Sequence, residues 1–274
     1  MNLSRRTLLN AMWSLPLMVH VGSANAASGK SSVKPRHVLC FLGGTRDLAP
    51  LSNAVSTAIA EFAPDFGIDN DYSRAEPDTR MDRSFDVCWD RVEPGAWTEK
   101  DEDAVSNHKS VLYVLGPQMT ADNAVTVSAT ALLLVEAAIK AGAVAVKGES
   151  AGVAHGLARW RNLIEQGSAA LESGDNAALS RICRLAFSKR PLSAQKYLES
   201  VGFHLVGLPE IYVAKAYGSE RQAIAVMDSI ADDMAKRSVE TVLRERRATL
   251  SYASSYKEDD FKFNPYGIAR IERR

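Results

Sequence analysis

Cysteine and histidine are scarce in this chain, and neither occurs in closely spaced pairs. The 274 residues include three cysteines, Cys40, Cys88 and Cys183, and five histidines. Structural zinc sites draw their ligands from pairs of these residues that lie only a few positions apart. The sequence contains no such pair, and we therefore expect no metal site.

An excess of either charge is also lacking. The chain has 33 lysines and arginines, 33 aspartates and glutamates, and no block of basic residues. Removal of residues 1–26, which carry two arginines and no acidic residue, leaves a net charge of −2. Proteins that bind nucleic acid or anionic membrane surfaces concentrate positive charge. We therefore expect neither kind of partner.

No apolar run is long enough to cross a membrane, which takes about 20 residues. A mostly apolar stretch, Leu8 to Val21, is interrupted by polar residues, follows Arg5 and Arg6, and precedes Ala24-Asn25-Ala26. A basic start, a short apolar segment and small residues before the cut are typical of a cleavable bacterial signal peptide. We expect cleavage between Ala26 and Ala27.

The run Ser4-Arg5-Arg6-Thr7-Leu8-Leu9 resembles the twin-arginine export signal. That resemblance implies a protein that folds before it crosses the membrane; an ordinary secretion signal is the alternative. We expect a signal peptide over residues 1–26, a flexible leader over 27–35 and a single domain over 36–274. The mature protein is then soluble and either periplasmic or secreted.

Two interpretations of the cysteines remain open. Cys40 and Cys88 each lie in an apolar run that is typical of a strand, so a disulfide can join them if those strands are neighbours. An exported protein allows such a bond. The alternative, which we favour, is that all three cysteines are small buried hydrophobic residues.

Apolar spacing predicts an α+β fold, in which a mixed sheet is covered by helices and the C-terminal half is helical. The helix expected over residues 121–141 is apolar nearly all round and should lie at the centre of the fold. Capping boxes at Thr98 and Ser219 predict two further helix starts. Other helices are expected over 47–62, 153–164, 176–187 and 193–201, and strands over 36–42, 66–72, 85–92, 111–115, 143–146 and 203–213.

Gly148-Glu149-Ser150-Ala151-Gly152 matches the G-x-S-x-G pattern of the α/β-hydrolase nucleophile elbow. An apolar segment precedes the motif and a helix is expected after it, as that elbow requires. Ser150 is therefore a candidate nucleophile, with His204 as its base and Asp175 or Glu199 as the acid. His155 is too close in sequence to serve as the base.

Other features of the sequence argue against a hydrolase. About 70 residues follow His204, whereas the hydrolase histidine lies near the C-terminus, and no oxyanion loop of histidine and glycines is present. Ser150 is sufficiently explained as a helix N-cap. A structural turn is therefore favoured, and Glu149, Ser150, His155 and Trp160 are retained as candidate binding residues.

The segment from Ala143 to His155 (AVAVKGESAGVAH), together with Gly207 to Ile211 (GLPEI), resembles an uncharacterised bacterial domain family over about residues 110–245. The family has no assigned activity, so the resemblance implies no cofactor and lowers the expectation of a hydrolase. We expect a non-catalytic binding protein with a protein partner in the cell envelope, captured by the aromatic segment from Tyr252 to Tyr266. A secreted serine hydrolase that uses Ser150 is the alternative.

Overall fold

The computed structural model describes residues 34–252 and 264–272. The predicted signal peptide, its cleavage point at Ala26 and Ala27, Arg5 and Arg6, and most of the leader lie outside the described residues. Residues 253–263, which hold most of the aromatic C-terminal segment, also lie outside them, as do the side chains of residues 190–192.

The N-terminal part of the chain forms an antiparallel five-stranded sheet with the order β2-β3-β1-β4-β5. Strands β3 and β4 both pair with β1, and the helix α4 connects them, which makes a split β-α-β motif. The elements in chain order are β1 (Val38–Gly43), α1 (Ala49–Phe62), β2 (Gly67–Ile68), α2 (Met81–Asp86), α3 (Glu99–Ser106), β3 (Ser110–Leu115), α4 (Ala124–Lys140), β4 (Ala143–Gly148) and β5 (Val153–His155).

The rest of the chain forms two helices and then a second, mixed sheet with the order β6-β7-β8-β10-β9, in which β8 and β10 are parallel. Helix α7 packs on this sheet. The elements are α5 (Leu157–Ser173), α6 (Asn176–Phe187), β6 (Lys189–Ser193), β7 (Tyr197–Val201), a 3-10 turn (Phe203–Val206), β8 (Glu210–Ala214), a 3-10 turn (Lys215–Tyr217), α7 (Glu220–Lys236), α8 (Val239–Arg246), β9 (Thr249–Ser251) and β10 (Ile268–Ile271).

The α+β class is confirmed, and α4 is the central helix that its apolar pattern predicted. It contacts α1, α5 and α6, and Leu134 and Val135 are completely buried. Side chains alternate across the first sheet because successive residues of a strand point to opposite faces. Leu39 and Phe41 pack towards α1 and α4, whereas Cys40 lies in a separate core cluster on the opposite face.

Several local predictions were wrong. The strand expected over 66–72 is limited to β2, and the one expected over 203–213 begins with a 3-10 turn. Residues 85–92 are not a strand, because Met81, Phe85 and Cys88 have helical spacing and are buried along α2 and the turn that follows it. Residues 193–201 form most of the β6–β7 hairpin instead of a helix, since pairing with β8 outweighs local propensity. The segment after the G-x-S-x-G motif begins with β5, and its helix starts only at Leu157.

The C-terminal half also contains a whole sheet, whereas the sequence predicted a helical C-terminal half.

Both capping boxes are confirmed: Thr98 with Asp101 begins α3, and Ser219 with Gln222 begins α7. No helix within the described ranges is long and apolar enough to span a bilayer.

Candidate functional site

The G-x-S-x-G motif is the turn of a β-hairpin. It links β4 to β5, and Gly152 adopts the left-handed conformation (φ 63°) that the turn requires. A nucleophile elbow is a strand–turn–helix unit, in which the helix N-terminus supports the oxyanion. Here a strand follows the turn, so the local context that made the motif look catalytic is missing.

The hydroxyl of Ser150 forms hydrogen bonds with the backbone at the start of β1. Its Oγ donates to the carbonyl oxygen of Arg36 at 2.7 Å and accepts from the N–H of Val38 at 2.9 Å. The backbone N–H of Glu149 donates to the carbonyl of Val38 at 2.8 Å and adds to the same seam. Ser150 is therefore not the helix N-cap that the sequence suggested. Its proton is directed at a carbonyl oxygen and not at an imidazole.

The other members of the predicted triad lie in separate networks. Asp175 is the N-cap of α6 and accepts from the N–H of Ala178 at 2.9 Å. Nδ1 of His204 lies 3.3 Å from Oε1 of Glu210 inside the second sheet. The carboxylate of Glu210 also accepts from the Ser200 hydroxyl at 2.5 Å. These bonds hold local backbone in place, and none of them reaches Ser150.

His155 and Trp160, two of the candidate binding residues, are buried in the core. Nε2 of His155 lies 3.1 Å from the carbonyl oxygen of Ala186, and its ring meets that of Trp160 edge to face at 4.9 Å. The Trp160 indole donates to the carbonyl of Val146 at 3.3 Å. His155 thus links β5 to α6 and Trp160 links α5 to β4, and neither presents a ring to a surface ligand.

Glu149 forms an ion pair that the sequence analysis missed. Its carboxylate lies 2.8 Å from Nζ of Lys147, which also donates to the hydroxyl of Ser84. Lys147 is only 2% exposed and Glu149 11%. Burial lowers the pKa of the Lys147 ammonium, but the negative charge of Glu149 outweighs it and keeps that pKa above its usual value.

Lys147 belongs to a row of polar side chains across the middle of the first sheet. Cys40 is the register partner of Tyr113 on one side and of Lys147 on the other. The Tyr113 hydroxyl is buried and has no hydrogen-bond partner within the described part of the chain. Burial raises the pKa values of Tyr113, Cys40 and Cys88, so all three stay protonated at neutral pH.

This row is closed to solvent. Tyr113 is 4% exposed and Cys40 is fully buried. The three cysteines are free and buried, as the favoured interpretation expected, and no Cys40–Cys88 disulfide is present. Protonated thiols in apolar surroundings are weak nucleophiles. The arrangement therefore stabilises the packing of α2 on the sheet and does not form an open reaction site.

A groove of about 520 Å³ opens between α4 and α5 on the outside of the molecule. Its floor is apolar, with Ile139 from α4 and Ile164 from α5. Charged side chains form its walls, and the lining residues are Glu136, Ile139, Lys140, Arg161, Ile164, Glu165, Ser168, Ala169 and Glu172. The groove has the size and the mixed lining of a ligand site. Sequence analysis missed it because it lies between two helices whose exposed faces show no motif.

Within residues 34–252 and 264–272, no group of three or more histidine, cysteine, aspartate or glutamate side chains lies close enough together to hold a metal ion.

Comparisons of the chain with family models, with curated proteins and with solved structures find no match in any of the three. The resemblance to an uncharacterised bacterial domain family therefore stays a prediction.

Proposed function

We propose that this protein is exported and binds a partner protein of the cell envelope, without catalysis, through the groove between α4 and α5. The single observation that carries the proposal is the groove itself, which is concave, apolar at its floor and charged at its rim. Interfaces of binding proteins combine these properties, since a buried apolar centre is surrounded by a polar edge.

The geometry of Ser150 supports a non-catalytic function. A serine hydrolase needs a hydroxyl that hands its proton to a base during attack. The Ser150 hydroxyl instead bridges the carbonyl of Arg36, two positions before the central strand, and the N–H of Val38, its first residue. Its use as a nucleophile would break these two part-buried hydrogen bonds, at a cost of about 0.5–1.5 kcal/mol for each.

Site-specific photo-crosslinking tests the groove as the binding surface. A photoreactive amino acid replaces Ala169, which is exposed on the groove wall, and in a matched variant it replaces Ala60, which is exposed on α1. Intact cells that express each variant are irradiated, and covalent adducts are identified by mass spectrometry.

We expect one recurrent envelope protein to be attached through position 169 and not through position 60. Adducts that are the same at both positions, or none at position 169, would contradict the proposal. Export itself is supported by the N-terminal pattern of residues 1–26.

A further inference from the structure

The lining of the groove follows one face of α5 over three helical turns. Arg161, Ile164, Glu165, Ser168 and Glu172 recur at the spacing that places side chains on the same face of a helix. Arg161 and Glu172 are eleven positions apart, or about 16 Å along the axis. A trough of that length between two helices matches three turns of a third helix.

The apolar stripe of α5 continues beyond the groove floor. Ile164 is buried, whereas Leu171, seven positions later on the same face, is 49% exposed. Together with Ile139 from α4, these side chains offer apolar contacts at the i and i+7 positions of an occupant. An amphipathic helix has the complementary periodicity.

The charges on α5 favour an occupant that carries positive charge. Glu165 and Glu172 have no ion-pair partner among the residues that the structure describes, while Glu136 is paired with Lys140 at 2.7 Å. Arg161 is the single lining cation without an ion pair in the same described part of the chain, so unpaired negative charge is in excess. The C-terminal end of α5, next to Glu172, adds the negative end of the helix dipole.

We infer that the groove binds a cationic amphipathic α-helix of the partner protein, whose lysines or arginines seven positions apart face Glu165 and Glu172. The two glutamates are separated by seven positions, or about 10.5 Å along α5. Two basic side chains at the same interval on an antiparallel or parallel helix reach both carboxylates at once. This inference rests on the proposed function and names the chemistry of the partner.

The probe is a designed 18-residue helical peptide that carries two lysines seven positions apart beside a leucine stripe. Binding to the full chain is followed by fluorescence anisotropy. We expect saturable binding that weakens with salt, and about tenfold weaker binding for Glu165→Gln/Glu172→Gln, because two charge pairs are lost. The matched control Glu61→Gln/Glu76→Gln removes the same charge from exposed positions outside the groove and should bind like wild type.

A steric variant tests the groove without changing its charge. Ala169→Trp fills the groove and should abolish binding, whereas Ala60→Trp on α1 should not. Circular dichroism and thermal unfolding verify that each variant is folded. A control peptide with the same composition and its lysines on opposite faces should bind at least tenfold more weakly.

Equal binding of the two peptides, or equal binding by wild type and Glu165→Gln/Glu172→Gln, would overturn the inference. A wild-type dimer in sedimentation that Ala169→Trp dissociates would overturn it in favour of a second copy of this chain. If the peptide fails to bind but position 169 still crosslinks to one envelope protein, the inference falls and the proposed function stands. If both experiments fail, the inference and the proposed function are both wrong.

Discussion

The hydroxyl of Ser150 takes the place of a backbone group beside β1, because it accepts a 2.9 Å hydrogen bond from the N–H of Val38 and donates to the carbonyl of Arg36. A motif that matches a nucleophile elbow thus extends the pairing of β4 with the central strand. The consequence for mutagenesis differs from that of an active-site serine.

Ser150→Ala should lower the free energy of unfolding by about 1–3 kcal/mol, since two part-buried backbone groups each lose a hydrogen bond. Chemical denaturation measures this loss, and Ser52→Ala, on the exposed side of α1, should change stability by less than about 0.5 kcal/mol. A fluorophosphonate probe should label neither wild type nor Ser150→Ala. Labelling of wild type that Ser150→Ala abolishes would make the protein a hydrolase.

The pair Lys147–Glu149 should behave as a buried ion pair. Glu149→Gln leaves the Lys147 ammonium buried without its counter-charge and should cost about 3 kcal/mol of stability. Lys147→Met/Glu149→Gln removes both charges and should recover at least half of that loss, because an apolar side chain suits the site. The four proteins of this double-mutant cycle are compared by urea unfolding. Additive effects of the two substitutions would show that the pair is not coupled.

His37 should make the protein less stable in acid. Burial, with a smaller electrostatic contribution from His204, lowers the pKa of His37 from 6.5 to about 3. The unfolded chain therefore binds a proton between these values that the folded protein does not. The stability that depends on neutral His37 is fully present above its unfolded-state pKa of 6.5. It falls towards pH 3, by up to about 1.4 kcal/mol per pH unit.

Proton NMR of the His37 ring checks this prediction. Its resonances should not titrate between pH 8 and about pH 4 in the folded protein, apart from changes that accompany unfolding. A midpoint near 6.5 in the folded state would contradict the burial of His37 and its 2.7 Å hydrogen bond to Ser128.

Asp101 joins the starts of two helices that are distant in sequence. One carboxylate oxygen accepts from the N–H of Thr98 at 3.0 Å, and the other accepts from the N–H of Leu157 at the start of α5 at 3.2 Å. Asp101→Ala should cost about 1–2 kcal/mol by thermal unfolding, more than Asp103→Ala on the same helix. Asp101→Asn keeps one acceptor oxygen and should retain about half of the stabilisation. Equal effects of the Asp101 and Asp103 variants would contradict this double capping.

Export is predicted from residues outside the described ranges. Arg5→Lys/Arg6→Lys should trap the precursor in the cytoplasm if the twin-arginine route is used, whereas Lys30→Arg in the leader should have no effect. Cell fractionation locates the protein, and mass spectrometry of the exported form should find Ala27 as its first residue. Export of the double variant at the wild-type level would favour the ordinary secretion route.

The features predicted correctly from the sequence are those that local chemistry determines. The apolar pattern of α4 and the capping boxes at Thr98 and Ser219 act within a few residues, and all three appear where expected. The fold class follows from the same alternation of strand and helix patterns. The Lys147–Glu149 ion pair could also have been predicted from the sequence, because Lys147 interrupts an apolar segment and Glu149 lies two positions later, on the same face.

Long-range pairing determines what the sequence analysis missed. Glycines on both sides of Ser150 suit a hairpin as well as an elbow, and only contact with β1, more than 100 positions away, distinguishes the two. The second sheet depends on β8 lying beside β10, a pairing that no local pattern indicates. The groove arises because α4 and α5 pack at a distance that leaves a cleft between them, lined by Ile139 and Ile164.

The most direct test of a non-catalytic binding function is the identity of the adducts formed from position 169 in living cells. We predict a single envelope protein at position 169 that is absent at position 60. A groove position that captures nothing, while the native protein reacts with the fluorophosphonate at Ser150, would contradict this function outright.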